Sequence, residues 1–185
     1  TSKGYATTLK GTLCYTASGD LVSHITFPRE YIMLANNLGE IRIYDPATNT
    51  VKLLQNLLFS TSSMQLHYFL DGLTGDLGLK QAGYDIENTR FDNDLSITTW
   101  KNRYGTPKNP IQKATLVKRK DTLIYLDYKD QQGAVIRKMF FYNYTNLNNI
   151  LFPLTITEVL YDGKDSTVTR TEDTSFQLND EATGI

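Results

Sequence analysis

Residues with nucleophilic, acid–base or metal-binding side chains are scattered along this chain of 185 residues. His24 and His67 have no serine, cysteine or carboxylate at a recognised catalytic spacing. Cys14, the single cysteine, alternates within an apolar segment as a small buried hydrophobic side chain does. Asp92-Asn93-Asp94 begins like a calcium loop, but the glycine and the closing glutamate of that motif do not follow. We therefore expect no catalytic residues, no metal site, no cofactor and no enzymatic activity.

A basic segment runs from Lys101 to Lys120, where seven lysines and arginines occur without an acidic residue. Trp100 and Tyr104 are interleaved with them, as in surfaces that bind nucleic acid. Lysines that protect the edge of a hairpin explain the segment better, and a docking patch for an acidic protein partner is a third alternative. We expect no nucleic-acid partner and keep the segment as a candidate docking site.

The composition excludes several classes of protein. Nineteen basic and 20 acidic residues give a formal net charge of -1, which is too balanced for polyanion binding by bulk charge. The longest apolar stretches, such as Ile150 to Ile156, are far shorter than the roughly 18 to 20 residues that span a bilayer. The start at Thr1 has no Met, charged n-region or apolar h-region, as expected of a processed or trimmed product whose export signal was removed or never existed. This length predicts a single domain over residues 1–185.

Period-two hydrophobic patterns bounded by turn residues predict about a dozen antiparallel strands. The clearest pattern is a three-stranded meander over Ile25 to Leu54, with turns at Asn36 to Gly39 and at Asp45-Pro46. One short helix is predicted at about Ser62 to Asp71, followed by a poorly ordered loop that contains several glycines. The other strands are predicted at Tyr5 to Tyr15, Asp20 to Phe27, Tyr84 to Phe91, Leu95 to Lys101, Gln112 to Arg119, Thr122 to Tyr128, Val135 to Tyr144, Phe152 to Tyr161 and Ser166 to Asp173.

Apolar side chains occur on both faces of several predicted strands. In the meander, Ile32 and Leu34 share one face, and so do Ile41 and Ile43. The side chains predicted to point the other way are Tyr31, Met33 and Tyr44. Two interpretations remain open: one side of the sheet is lined for a ligand or covered by a helix, or these strands are central in a two-layer core.

Several short motifs follow one another in a characteristic order. Gly11-Thr12-Leu13 enters a strand, Thr26-Phe27-Pro28 ends the next, and Asn37-Leu38-Gly39 forms a turn before Glu40-Ile41-Arg42-Ile43-Tyr44-Asp45-Pro46. This succession resembles the outer-membrane lipoprotein carrier family, which comprises the periplasmic LolA type and its LolB relatives.

The resemblance implies a mainly β fold, an incomplete, half-open antiparallel β-barrel with a short helical lid. It also implies a non-enzymatic periplasmic carrier or chaperone that shelters lipoprotein acyl chains or lipid in an apolar cavity and contacts envelope membrane proteins transiently. The residues expected to line the cavity or the lid are Ile32, Leu34, Ile41, Ile43, Met64, Phe69, Trp100, Phe140 and Tyr142. The alternative is a β-rich interaction or scaffold domain with a packed interior and no lipid cargo.

Overall fold

The computed structural model describes residues 4, 6–16, 18–55, 61, 65–70, 74–104, 111–147, 149–175 and 177, with the side chains of 65 and 147 excepted. These residues form twelve β-strands, all paired antiparallel, and one short α-helix. The predicted mainly β class is therefore confirmed. The chain divides into two compact units, Thr1–Tyr68 and Phe69–Ile185, and the single domain over residues 1–185 stays a prediction.

The first unit contains a five-stranded meander in which every strand pairs with its neighbours along the chain. Its strands are β1 (Lys10–Tyr15), β2 (Leu21–Phe27), β3 (Tyr31–Ala35), β4 (Glu40–Asp45) and β5 (Thr50–Gln55). Side-chain oxygens stabilise its turns. Asn36 Oδ1 accepts hydrogen bonds from the backbone N–H groups of Leu38 and Glu40, at 2.9 and 3.1 Å, and Gly39 has the positive φ of 82° that this turn requires.

The second unit contains a seven-stranded meander, again with neighbours in chain order. Helix α1 (Gln65–Leu70) precedes it. Its strands are β6 (Tyr84–Asp92), β7 (Leu95–Asn102), β8 (Lys113–Arg119), β9 (Thr122–Lys129), β10 (Val135–Leu147), β11 (Ile150–Asp162) and β12 (Asp165–Glu172). Each of the two sheets ends in two edge strands, so neither sheet closes on itself among the described residues.

The predicted hairpin at Asp162-Gly163 is present, with a different turn from the predicted type I′. Strand β11 ends at Asp162 and β12 begins at Asp165, so Gly163 and Lys164 are the central residues. Gly163, with φ of 60°, takes the first central position, which is the place of glycine in type II′ turns. The hairpin twist therefore depends on one glycine.

Residues 74–83 form hydrogen-bonded turns instead of the predicted poorly ordered loop. The N–H of Ala82 donates to the carbonyl of Gly78 at 2.9 Å, and the N–H of Tyr84 donates to that of Leu79 at 2.9 Å. Leu77 and Leu79 are buried, and their burial holds the segment against the rest of the second unit. Gly72, which contributed to the prediction, lies outside the described residues.

An aromatic cluster forms the centre of the second unit. Phe69 of α1 lies 5.5 Å from Phe141 and 6.0 Å from Phe152 between ring centroids, in tilted and edge-on arrangements. Such pairs stabilise the fold beyond the burial of their area. The buried side chains on the same side of the sheet are Trp100, Ala114, Leu116, Leu126 and Met139.

Replacing Phe141 by alanine should lower the free energy of unfolding by about 3–5 kcal/mol, because it removes a buried ring and leaves a cavity beside Phe69. Urea unfolding followed by tryptophan fluorescence measures the change. Phe91→Ala is the matched control, since Phe91 is 80% exposed and its loss should cost about 0.5 kcal/mol or less. Equal losses for the two variants would contradict the assignment of the core.

Candidate functional site

Strand register assigns each side chain of the five-stranded sheet to one of its two faces. Met33 lies opposite Ile43, and Ala35 lies opposite Ile41. Directly opposed residues of antiparallel strands point to the same side, and we call the side of Met33 and Ile43 face 1. Its apolar and aromatic side chains are Leu13, Tyr15, Leu21, Ile25, Phe27, Tyr31, Met33, Ala35, Ile41, Ile43 and Leu54.

The opposite side, face 2, carries two of the residues expected to line a cavity. Ile32 lies opposite Tyr44, and Leu34 lies opposite Arg42. The sequence predicted that Met33 and Ile43 point to opposite faces, and that Tyr44 and Ile32 do so too. Both predictions are wrong, because each pair is directly opposed and shares a face. The four-residue turn from Asn36 to Gly39 sets a register in which odd residues of β3 oppose odd residues of β4. The register thus places Ile41 and Ile43 together and leaves Ile32 and Leu34 on the other face.

The side chains of face 1 are buried in one part of the sheet and exposed to solvent near its two edge strands. Leu21 and Ala35 are buried, at 2% and 5% exposure. Near them, Thr61 donates a hydrogen bond to the carbonyl of Gly19, and the Tyr15 hydroxyl lies 2.9 Å from Nδ1 of His67 in α1.

Towards the two edge strands, face 1 is accessible. Leu13 on β1 is 51% exposed, and Leu54 on β5 is 49% exposed. An apolar surface that is only partly covered is a typical feature of a binding site. Neither residue was predicted for the site. Because Leu53 and Leu54 are adjacent and equally apolar, a period of two cannot tell which of them faces inward.

A small cavity of about 140 Å³ lies at one end of face 1. Tyr31 and Ile43 form its apolar part, and its charged lining residues are Arg29, Asp45 and Lys52. Arg29 forms an ion pair with Asp45. Burial alone would raise the pKa of the Asp45 carboxyl, but a hydrogen bond with Thr48 and the charge of Arg29 lower that pKa overall. The cavity is smaller than the roughly 300–1,000 Å³ of ordinary ligand pockets.

The remaining residues expected to line a cavity belong to the second unit. Phe69 and Trp100 are buried on the side of Phe141. Phe140 and Tyr142 alternate with Phe141 and lie on the other side, where the Phe140 ring contacts Tyr125 at 5.2 Å. The structure therefore does not bring these four side chains to one surface. Met64 lies outside the described residues.

Three of the six described charges of the basic segment have carboxylate partners on the same sheet. Arg103 forms a two-pronged ion pair with Asp85, and Lys113 Nζ lies 2.7 Å from Glu87. Arg119 lies 3.2 Å from Asp94. Lys108 is outside the described residues. The strand residues of the segment lie on β7 and β8, which are interior strands of the sheet, so the interpretation as a protected hairpin edge is wrong, and docking at Lys101 to Lys120 stays a prediction.

Removing the Arg103 charge should raise the pKa of the Asp85 carboxyl in the folded protein towards its ordinary value. The cause is that the hydrogen bond from Arg103 lowers this pKa in the wild type. A carboxylate with a lowered pKa stabilises the fold above its unfolded pKa, and this contribution disappears as the pH falls through the folded value. Carboxyl-carbon NMR titration of Arg103→Gln measures the shift.

Lys113→Gln is the control for this titration. It should raise the pKa of Glu87, which the Lys113 hydrogen bond lowers, and leave the titration of Asp85 unchanged. The ion pairs would be assigned wrongly if Lys113→Gln changed the pKa of Asp85, or if Arg103→Gln left that pKa unchanged.

Among the described residues, two further features concern metal sites and membrane-spanning helices. Within the part of the chain that the structure describes, no three histidine, cysteine, aspartate or glutamate side chains lie close enough to hold a metal ion. The same part contains no helix long and apolar enough to cross a membrane.

Comparison with known proteins identifies similar folds. No family model and no curated protein matches the sequence. A LolA superfamily protein from Nitrosomonas europaea superposes with a TM-score of 0.52 and 13% identity, over 91% of this chain and 79% of that one. A domain assigned to outer membrane lipoprotein sorting, from Vibrio parahaemolyticus, gives a TM-score of 0.49 and 12% identity over 93% and 80% of the two chains. A DUF1329 family protein from Desulfovibrio piger gives a TM-score of 0.46 and 16% identity, over 91% of this chain and 79% of that one.

The superposition on the Nitrosomonas protein shows that this chain has a LolA-like fold. At 13% identity it shows the fold alone, because one fold can carry many functions. The function has to be argued from face 1.

Proposed function

We propose that this protein is a non-enzymatic periplasmic carrier that binds the acyl chains of a lipid or lipoprotein along face 1. The observation that carries the proposal is the array of apolar side chains on face 1, with Leu13 and Leu54 each about half exposed. The LolA-like fold supports it as well. Of the residues expected from the sequence, Ile41 and Ile43 belong to this surface.

The physical basis is the transfer of methylene groups out of water. Each buried methylene contributes about 0.8 kcal/mol, so a lipid anchor can cross an aqueous space only when a protein covers it. Five strands at a spacing of about 4.8 Å make face 1 about 19 Å wide, which is enough to cover a long run of an extended chain. Release requires only an acceptor membrane protein that competes for the same chain, which is the transient contact that we propose.

Leu54→Asp should weaken the binding of a fluorescent fatty acid by about tenfold or more, because it places a charge on the partly exposed part of face 1. Leu53→Asp is the matched control, since Leu53 is the preceding residue of the same strand and points to face 2. It should change the affinity by less than about twofold. The measurement is a fluorescence titration of delipidated protein.

Three results decide the proposal. Binding by the wild type that only Leu54→Asp weakens supports it. Equal weakening by Leu53→Asp excludes face 1 as the binding surface. Absence of binding to both a fluorescent fatty acid and a triacylated peptide, with no lipid in mass spectra of the purified protein, excludes the carrier function.

The second candidate is a β-rich interaction domain with a packed interior. One observation favours it: the apolar side of the seven-stranded sheet is filled, with Ala114, Leu116, Leu126 and Met139 each 3% exposed or less. Such a side has no room for a lipid without repacking. Under this function the protein takes up no acyl chain, so the same titration separates the two candidates.

A further inference from the structure

Strand β12 is an exposed edge of the seven-stranded sheet. Among the described residues it has a hydrogen-bonded neighbour only on its β11 side, and all eight of its side chains are exposed. An edge strand presents unpaired backbone N–H and C=O groups to any strand that can align with it. This edge belongs neither to face 1 nor to the core.

Each of the other edge strands carries a register shift or a central lysine, and β12 carries neither. Strand β1 has a register shift at Lys10/Gly11, and β6 has one at Ile86/Asn88. Strand β5 carries Lys52 in its centre. Strand β12 pairs with β11 without a register shift and contains no proline or lysine. Its charged residues, Asp165, Arg170 and Glu172, include both signs, so they do not repel a second copy as a row of lysines would.

The hydrogen-bond pattern shows which backbone groups of β12 point outward. The N–H of Asp173 donates to the carbonyl of Leu154 at 2.8 Å, so odd residues are bonded to β11. Along an antiparallel strand, the backbone N–H and C=O groups of successive residues point alternately to one neighbouring strand and to the other. The groups at the free edge therefore belong to the even residues, which are Ser166, Val168, Arg170 and Glu172.

We propose that β12 pairs antiparallel with β12 of a second copy of this chain, with Val168 on the two-fold axis. Residues that exchange hydrogen bonds across an antiparallel pair must both point outward, so an even residue has to oppose an even residue. The register centred on Val168 satisfies this rule, because it places Ser166 opposite Arg170. The contact is isologous, as a two-fold dimer requires.

Charge selects this register from the others that obey the same rule. Centred on Val168, the alignment places Lys164, the turn residue before β12, beside Glu172 of the second copy, and the symmetry repeats this pair. Glu172 also pairs with Arg170 of its own strand, so Lys164 would be a second cation beside this carboxylate. Moving the centre to residue 167 would place Lys164 opposite Arg170, and like charges opposed across strands are destabilising. Moving it to Thr169 would remove the pairing of Lys164 with Glu172. The exposed Val168 side chains, 63% accessible in one chain, would cover each other at the axis.

The dimer should be weak and dependent on concentration, because a single pair of strands buries little apolar area. Sedimentation equilibrium of the whole protein should show a mass that rises with concentration from 21.0 kDa towards twice that value. A mass of 21.0 kDa at every soluble concentration would overturn the proposal.

Val168→Pro removes the outward N–H of Val168 and places a ring at the edge without breaking a bond to β11. It should raise the dimer dissociation constant more than about tenfold. Val168→Thr is the control, since it keeps the N–H and the β-branched shape and should keep the dimer. Circular dichroism verifies that both variants are folded.

A charge exchange tests the register and remains decisive if the proline variant does not fold. Lys164→Glu and Glu172→Lys should each weaken the dimer, because each places like charges across the interface. The double variant Lys164→Glu/Glu172→Lys should restore it. A dimer that the charge variants do not weaken forms through another surface and overturns the proposal.

Discussion

Directly opposed residues of antiparallel strands point to the same side, and their backbone bonds alternate between the two neighbouring strands. This constraint decides what each surface of the protein presents. It places Leu13, Met33 and Ile43 together on face 1. A shift by one residue would exchange the two faces of a strand. The turn at Asn36 prevents that shift between β3 and β4, because its side chain holds two N–H groups in place.

The two sheets use their apolar sides differently. In the second unit the Phe69 ring and its neighbours fill one side of the sheet, and Phe141 and Phe152 are each 2% exposed. In the first unit only one part of face 1 is covered, and apolar area remains in contact with water at its edges. The filled side contributes the burial that stabilises the second unit. Face 2 also exposes apolar side chains, at Leu34, Val51 and Leu53, but none of its strand residues is buried. We propose binding on face 1 because there the exposed apolar area continues a buried one.

Much of the fold could be predicted from the sequence, but the candidate site could not. Strands such as Thr122 to Tyr128 and the hairpin at Asp162-Gly163 follow from period two and from turn residues. Those signals are local. The pairing of Met33 with Ile43 depends on the length of a turn, which hydrophobic period does not measure. Burial depends on packing across the unit, so Phe140 and Phe141 have the same signature in sequence although only Phe141 is buried.

The chemistry of face 1 limits the kind of specificity that it can have. Apolar contacts are additive and non-directional, so a longer chain gains about 0.8 kcal/mol per covered methylene whatever group it is attached to. The charged residues described around the cavity, Arg29, Asp45 and Lys52, lie together at one end of the face. Arg29 and Asp45 neutralise each other, which leaves the positive charge of Lys52 at this end of the face. Under the proposed function, face 1 would therefore recognise an acyl chain by its length, and an anionic headgroup by the charge of Lys52.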